Sequence, residues 1–299
     1  EGATAEVPAV AGMARPLAIV PNLDDLAVGK IDLDPATLDF AARRLEEIPD
    51  GLLRQVIWSA LWELVRDGRL ALADYAAILL DRLVEEPDSE IVQQVVESTV
   101  SPLLNWLPDG EREVVGSRLV EAARARLARG GDEGMRIVWS RMLVVAAVTP
   151  RDAEESWQVA TGETPIEGAE IDQDHRWSLL IRGASFGAPN TAARLRAEAR
   201  RDPSDRGVRA LLAAETAVPS VAAKRRAWGR IFTPAAYGSV KKTLAAASGF
   251  AWPWQRSLLE ASVEALPTAL LALGAADATF ARDLIKRSMP LAKIGRAHV

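Results

Sequence analysis

The chain has 299 residues, nearly half of them apolar, a net charge of −5 and no cysteine. A chain of that length and composition can bury one or two sizeable cores and is not a disordered tail. The absence of cysteine excludes a disulfide framework, a thiolate nucleophile and any cysteine-ligated zinc site, and it reads as a reducing compartment. The longest apolar stretches are broken by Arg, Glu or Asp before the roughly 20 residues a bilayer needs. No basic flank followed by an apolar run opens the chain. The expectation is a soluble, cytoplasmic protein with no membrane contact.

The local grammar changes once, within residues 19–38 (IVPNLDDLAVGKIDLDPATL). Before that change Leu17, Ile19 and the run Ala27, Gly29, Ile31, Leu33 alternate at period two, which predicts short strands separated by Pro21-Asn22. After it the pattern is helical. Asp34 is a suitable N-cap and Pro35 fits the first helical position; Leu38, Ala41, Ala42, Leu45 and Ile48 then share one face. Residues 1–33 therefore read as the end of a β domain and residues 34–292 as a helical domain. Glu1 reads as a cut in a larger protein.

Asp50 opens a helix to Arg66 with two adjacent apolar stripes, one carrying Leu53, Ile57, Leu61 and Leu64, the other Trp58, Trp62 and Val65. So wide a face requires neighbours on two sides. Gly68 fits the C′ position, and a helix follows through Tyr75, Leu79 and Leu83. Pro87-Asp88-Ser89 starts the next, which Pro102 should kink or split. Pro108-Asp109 opens a helix that Gly130-Gly131 ends. Helical breaks of hairpin length recur to Leu291, the longest at Pro165–Asp174. The fold class is all-α, an irregular α-solenoid of antiparallel helix pairs of the HEAT or armadillo kind without a clean period.

Charge is unevenly spread. Between Arg176 and Lys242 there are fourteen basic and four acidic residues, whereas everything before Arg176 sums to −17. This reads either as an anion-attracting concave face or as neighbouring helices that neutralise one another. Nucleic acid is not indicated, because the basic residues are not interleaved with stacking aromatics. Trp58, Trp62, Trp139, Trp177 and Trp228 read as core anchors, and Trp252-Pro253-Trp254 as a wedge at a hairpin corner.

Several phrases in order resemble the C-terminal part of actinobacterial aminopeptidase N, a zinc metallo-aminopeptidase, with a helical domain related to that of endoplasmic-reticulum aminopeptidases. They are Val20-Pro21-Asn22 with Asp24-Asp25-Leu26 and Lys30-Ile31-Asp32-Leu33-Asp34; Leu61-Trp62, Arg66-Asp67-Gly68 and Asp74-Tyr75; and Asp172-Gln173-Asp174 with Arg176-Trp177 and Leu179-Leu180. Weaker similarity continues through Arg201-Asp202-Pro203, Ala222-Ala223-Lys224 with Trp228, and Gln255 with Leu258-Leu259. The resemblance spans about Ile19 to Leu291. An abundance of Arg over Lys agrees with an actinobacterial source.

The resemblance implies a non-catalytic lid. In the family the helical domain encloses the active-site cavity and selects and orients peptides, while zinc sits in a catalytic domain absent here. The expected partners are a peptide substrate and the catalytic and β-sandwich domains of the same polypeptide. His175 and His298 are far apart and form no H-E-x-x-H pattern, so no metal site, cofactor or catalytic residue is assigned to this chain. The carboxylate pairs Glu46-Glu47, Glu85-Glu86 and Glu154-Glu155 read as solvated helix faces. Arg176, Arg182, Arg225 and Arg226 are the candidates for the peptide carboxylate, placed by the charge asymmetry. The competing reading is a free-standing HEAT-like scaffold that binds a protein or peptide. Residues 293–299, KIGRAHV, read as a non-native tail resembling translated sequencing adapter.

Overall fold

A computed structural model describes residues 8–288, apart from 23, 25, 27, 28, 166, 170 and 234. The tail at 293–299 and His298 lie outside the described residues. The chain divides into two compact units, Glu1–Ile91 and Val92–Val299. Both are all-α among the described residues.

The first unit holds α1 (Pro35–Arg44), α2 (Gly51–Arg66) and α3 (Leu72–Arg82), with α3 packed on both others. The starts follow the caps read from sequence. Asp34 accepts from the Thr37 N–H and Asp50 from the Leu53 N–H, while Gly68 ends α2 at φ 70°. Both α2 stripes are used: Ile57, Leu61 and Leu64 are buried on one, Trp58, Trp62 and Val65 on the other. The strands predicted over residues 17–33 do not form among the described residues. A strand is satisfied only by a ladder partner. Here the segment is fastened to helices instead. Thr37 Oγ1 accepts from the Ile19 N–H at 2.9 Å, Lys30 Nζ donates to Asp67 at 2.6 Å, and Arg69 pairs with Asp32 at 2.7 Å.

Glu86 corrects another reading. Instead of sitting on a solvated face it is 2% exposed and holds Arg54, whose NH1 also donates to the Ile48 carbonyl at 2.6 Å. Glu46 and Glu155 are likewise tied, to Arg82 and Arg124.

A helical run begins with α4 (Ser89–Val95), where the unit boundary falls. It passes through a π turn at Val96–Val100 into α5 (Ser101–Trp106). The run is divided just before Pro102, at the π turn. The wider turn just before it absorbs a residue that cannot donate to the helix ladder.

The remaining helices are α6 (Asp109–Ala128), α7 (Glu133–Ala146), α8 (Pro150–Thr161), α9 (Gln173–Ser185), α10 (Thr191–Arg201), α11 (Asp205–Ala217), α12 (Val221–Ile231), α13 (Val240–Ser248), α14 (Glu260–Ala276) and α15 (Ala278–Ser288). Their packing follows one rule. The helices α7, α9, α11, α13 and α15 form a row in which each touches the next. Behind them α6, α8, α10, α12 and α14 each pack on the row helix that follows in sequence. The core lies between these layers, with Trp157, Trp177, Leu179 and Leu180 in one cluster and Ile231, Phe250, Leu259 and Leu284 in another.

Glycine permits the tightest crossing between α8 and α9. A Cβ on Gly183 would lie 2.0 Å from Nε1 of Trp157, a fully buried indole with no slack around it. Gly183→Ala should therefore cost at least about 1–3 kcal/mol, read as a lower urea midpoint at unchanged slope.

The apolar face of α14 is left largely uncovered. Leu266 and Leu273 are buried, but Leu271 is 77% exposed. The stretch Pro253–Ala275 is long and apolar enough to cross a membrane by length and composition. It does carry Arg256, Glu260 and Glu264, and Pro267 lies within α14.

Candidate functional site

The three central helices of the row start from capping residues that the chain supplies locally. Asp172 accepts from the His175 N–H at 2.7 Å, Ser204 Oγ from the Gly207 N–H at 3.1 Å, and Ser239 Oγ from the Lys242 N–H at 3.3 Å. The start of α11 is pinned to α9 by Asp202, which accepts from Trp177 Nε1 at 2.8 Å and Ser204 Oγ at 2.6 Å. Those bonds, from Ser204 first and then Trp177, hold its carboxyl below the usual range. At Gly207 a Cβ would stand 2.2 Å from the Asp202 carbonyl, so this corner has no room for a side chain.

Because α9, α11 and α13 run in the same direction, their amino-terminal halves lie side by side. Together they line an open groove of roughly 710 Å3. Its apolar lining includes Ile181, Ala210, Ala213 and Leu244, and its charged lining is Asp174, Arg206, Arg209 and Lys241. Arg206 pairs with Asp174 across α9 and α11, and Arg209 with Asp205 at 3.0 Å. Lys241 has no acidic partner among the described residues. Arg206 and Lys241 each occupy the second position of their helix, where the amide ends already carry partial positive charge. A cation there works against its own helix by about 0.3–1 kcal/mol. With Arg206 and Arg209 paired to Asp174 and Asp205, Lys241 is the cation that biases this end of the groove toward an anion.

The four arginines chosen from sequence are not brought together. Arg176, half-buried on α9, turns to α10 and donates to Glu198 at 2.7 Å, where Gln173 also donates at 2.8 Å. It borders a separate hollow of roughly 270 Å3 with Arg201. Arg182 lies against the rings of Trp252 and Trp254, at 4.9 and 5.3 Å from their centroids. Burial lowers its pKa to about 10. Arg225 and Arg226 are exposed on α12, behind the row. Reasoning from sequence missed Arg206, Arg209 and Lys241. They fall within the basic stretch it singled out, and the i, i+3 spacing of Arg206 and Arg209 was the one local signal.

Trp252 and Trp254 stack on each other at 5.1 Å, and Phe186 stacks on Trp254 at 4.3 Å, which makes this corner a packed wedge. His175 is buried at the third position of α9. Among the described residues no group of three or more His, Asp or Glu side chains is placed to hold a metal ion.

Two layers of helices, each backing helix packed on the row helix that follows it, with a groove on the row lined by Arg206, Arg209 and Lys241, define an all-α domain. The model of the ERAP1-like C-terminal domain family matches residues 18–282, and the chain belongs to that family. It is 30% identical over 266 residues to aminopeptidase N of Streptomyces lividans, covering 88% of this chain and 31% of that protein. The chain thus spans about a third of the relative's length. The resemblance to the C-terminal region of aminopeptidase N holds.

Proposed function

We propose that this chain is the non-catalytic C-terminal lid of a zinc-dependent, cytoplasmic aminopeptidase that removes N-terminal residues from peptides. The zinc and the catalytic groups belong to a separate domain of the same polypeptide, as does a β-sandwich domain. Neither nucleic acid nor membrane is a partner. The helix pairs form a solenoid-like stack. We take its concave side to be the row α7, α9, α11, α13 and α15, whose successive helices pack on one another. On that side the lid encloses the cavity and orients the substrate.

The observation that carries this reading is the groove itself, with Arg206 and Arg209 in the first turns of α11 and Lys241 at the start of α13. A peptide aligned for removal of its first residue presents a carboxylate at its far end. Arg209 and Lys241, together with the helix amides, supply a positive end for that group.

Titration calorimetry of this chain with a short peptide in free-acid and C-terminally amidated forms tests the reading. The free acid should bind the more tightly. The double variant Arg209→Glu, Lys241→Glu should remove that preference and weaken free-acid binding by up to about tenfold, the scale of one or two exposed charge pairs. Equal binding of acid and amide would sink carboxylate capture. Separately, an open reading frame around this sequence without H-E-x-x-H would sink the peptidase assignment.

A further inference from the structure

In a simple stack of helix pairs each pair touches only its neighbours, so one pair can open while a pair two places away stays closed. The connection from α13 to α14, residues 249–259, departs from that pattern. It is held to its own pair by Lys224 Nζ of α12, which donates to the Phe250 carbonyl at 2.7 Å, and by Trp252 Nε1, which donates to the Gly249 carbonyl at 2.8 Å. One pair back, Gln255 Nε2 donates to the last carbonyl of α11, Ala217, at 2.7 Å. Two pairs back, Gln255 Nε2 and Trp254 Nε1 both donate to the last carbonyl of α9, Ser185. Three pairs back, Arg256 meets Asp109 at the start of α6 at 3.4 Å, a partly exposed pair that adds reach but little strength.

The contacts with α9 are the ones that a nearest-neighbour stack lacks. Helix-end carbonyls have no intrahelical donor, so the amide of Gln255, which is 2% exposed, meets a need the backbone leaves open on two helices at once. The ring of Trp254 stacks on Phe186 just past α9, and Arg182 of α9 lies against both Trp252 and Trp254. At the opposite edge Trp177 Nε1 already ties α9 to Asp202 at the start of α11. The row is therefore fastened at both edges, and at the carboxyl edge the fastening skips a pair.

We propose that residues 252–256 are a brace that joins the helix pairs from α8 to α13 into one cooperative unit. The pairs then cannot open singly, and the spacing of α9, α11 and α13 along the groove is set before anything binds. The brace is a property of the helix row and holds whatever the groove takes.

Native-state hydrogen exchange in increasing sub-denaturing urea reads the opening of each helix separately. The perturbation is Leu179→Ala, a cavity in the middle of α9 at a residue 2% exposed and away from the brace. In the unsubstituted background it should raise the opening of α9 by about thirtyfold or more and that of α13, two pairs away, by the same factor. With Trp254→Ala and Gln255→Ala also in place, the same cavity should raise the opening of α9 and leave that of α13 unchanged, the difference measuring the coupling. If the double variant does not fold, Gln255→Ala alone carries the second comparison. A cavity in α9 that leaves α13 unmoved in the unsubstituted background would overturn the brace. So would one that still reaches α13 in full once the brace residues are gone.

Discussion

Replacing Glu86 by alanine should destabilise the chain by about 3–5 kcal/mol, the range found when one partner of a buried pair is removed. Arg54 would then be a buried guanidinium with only the Ile48 and Pro49 carbonyls to answer it. Glu86 also accepts from the Asp88 N–H at 3.2 Å, so the turn into α4 would lose an anchor as well. Urea denaturation at neutral pH reads the loss directly. The double variant Arg54→Met, Glu86→Met should recover most of it, since the larger penalty comes from the orphaned charge and not from loss of the pair. If Glu86→Ala were neutral, Arg54 would have found a partner the folded structure does not contain.

The second large effect concerns Lys224, which is 2% exposed and has no carboxylate to neutralise it among the described residues. Burial lowers its pKa to about 7, while the carbonyl ends of α11 and α13 act to keep the proton on. The folded pKa lies below the unfolded value of about 10.4. The unfolded chain therefore binds the extra proton between those limits, and stability rises with pH across the window from about 7 to about 10.4. Below it both states are protonated and the contribution is flat. The slope is at most about 1.4 kcal/mol per pH unit for one proton.

Lys224→Met should abolish that slope and lower stability by about 1–3 kcal/mol for each helix-end carbonyl left unsatisfied. Chemical denaturation of both proteins from pH 6 to 10 separates the two effects. A neutral amine still has two hydrogens to donate, so the bonds to the Thr216 and Phe250 carbonyls survive loss of the charge. Parallel pH profiles for the two proteins would show that Lys224 titrates as it does in water.

What was legible in the sequence is what depends on neighbours along the chain. Asp34, Asp50 and Gly68 act through residues a turn away, and each does what its type and position imply. The alternation at residues 17–33 misled because period two states only which faces differ, not whether a ladder exists. Fastening by Thr37, Asp67 and Arg69 took its place. Glu85 and Glu86 are adjacent and alike in sequence. Burial of Glu86 follows from where α2 carries Arg54, a contact spanning many residues that no local pattern encodes.

The same limit governs the site. The basic stretch from Arg176 to Lys242 was visible as composition, but the helix that faces the groove is chosen by the layer each helix joins. Arg225 and Arg226 lie on a backing helix, and Arg206 and Lys241 on row helices, with nothing in their immediate neighbours to distinguish them. Gln255 was noted only within a weak phrase of resemblance. Its contacts reach back to Ser185 and Ala217.

Gln255, which bonds the last carbonyls of α9 and α11, and Lys224, which bonds the ends of α11 and α13, also fix where the chain can change length. Turns at the carboxyl edge, residues 186–190, 218–220 and 249–252, are short and hold Trp252 or adjoin Gln255 and the Phe250 carbonyl. A single inserted residue between Phe250 and Gln255 would shift the amide away from two helix ends at once. At Gly249 even a methyl group would come within 1.9 Å of the Ala213 carbonyl. Of the connections that deliver the chain to the opposite edge, residues 202–204 are short and hold Asp202 against Trp177, whereas residues 162–172 and 232–239 are longer. Insertions in this domain should accumulate there, at the mouth of the groove, where added length alters what enters without loosening the helices behind it.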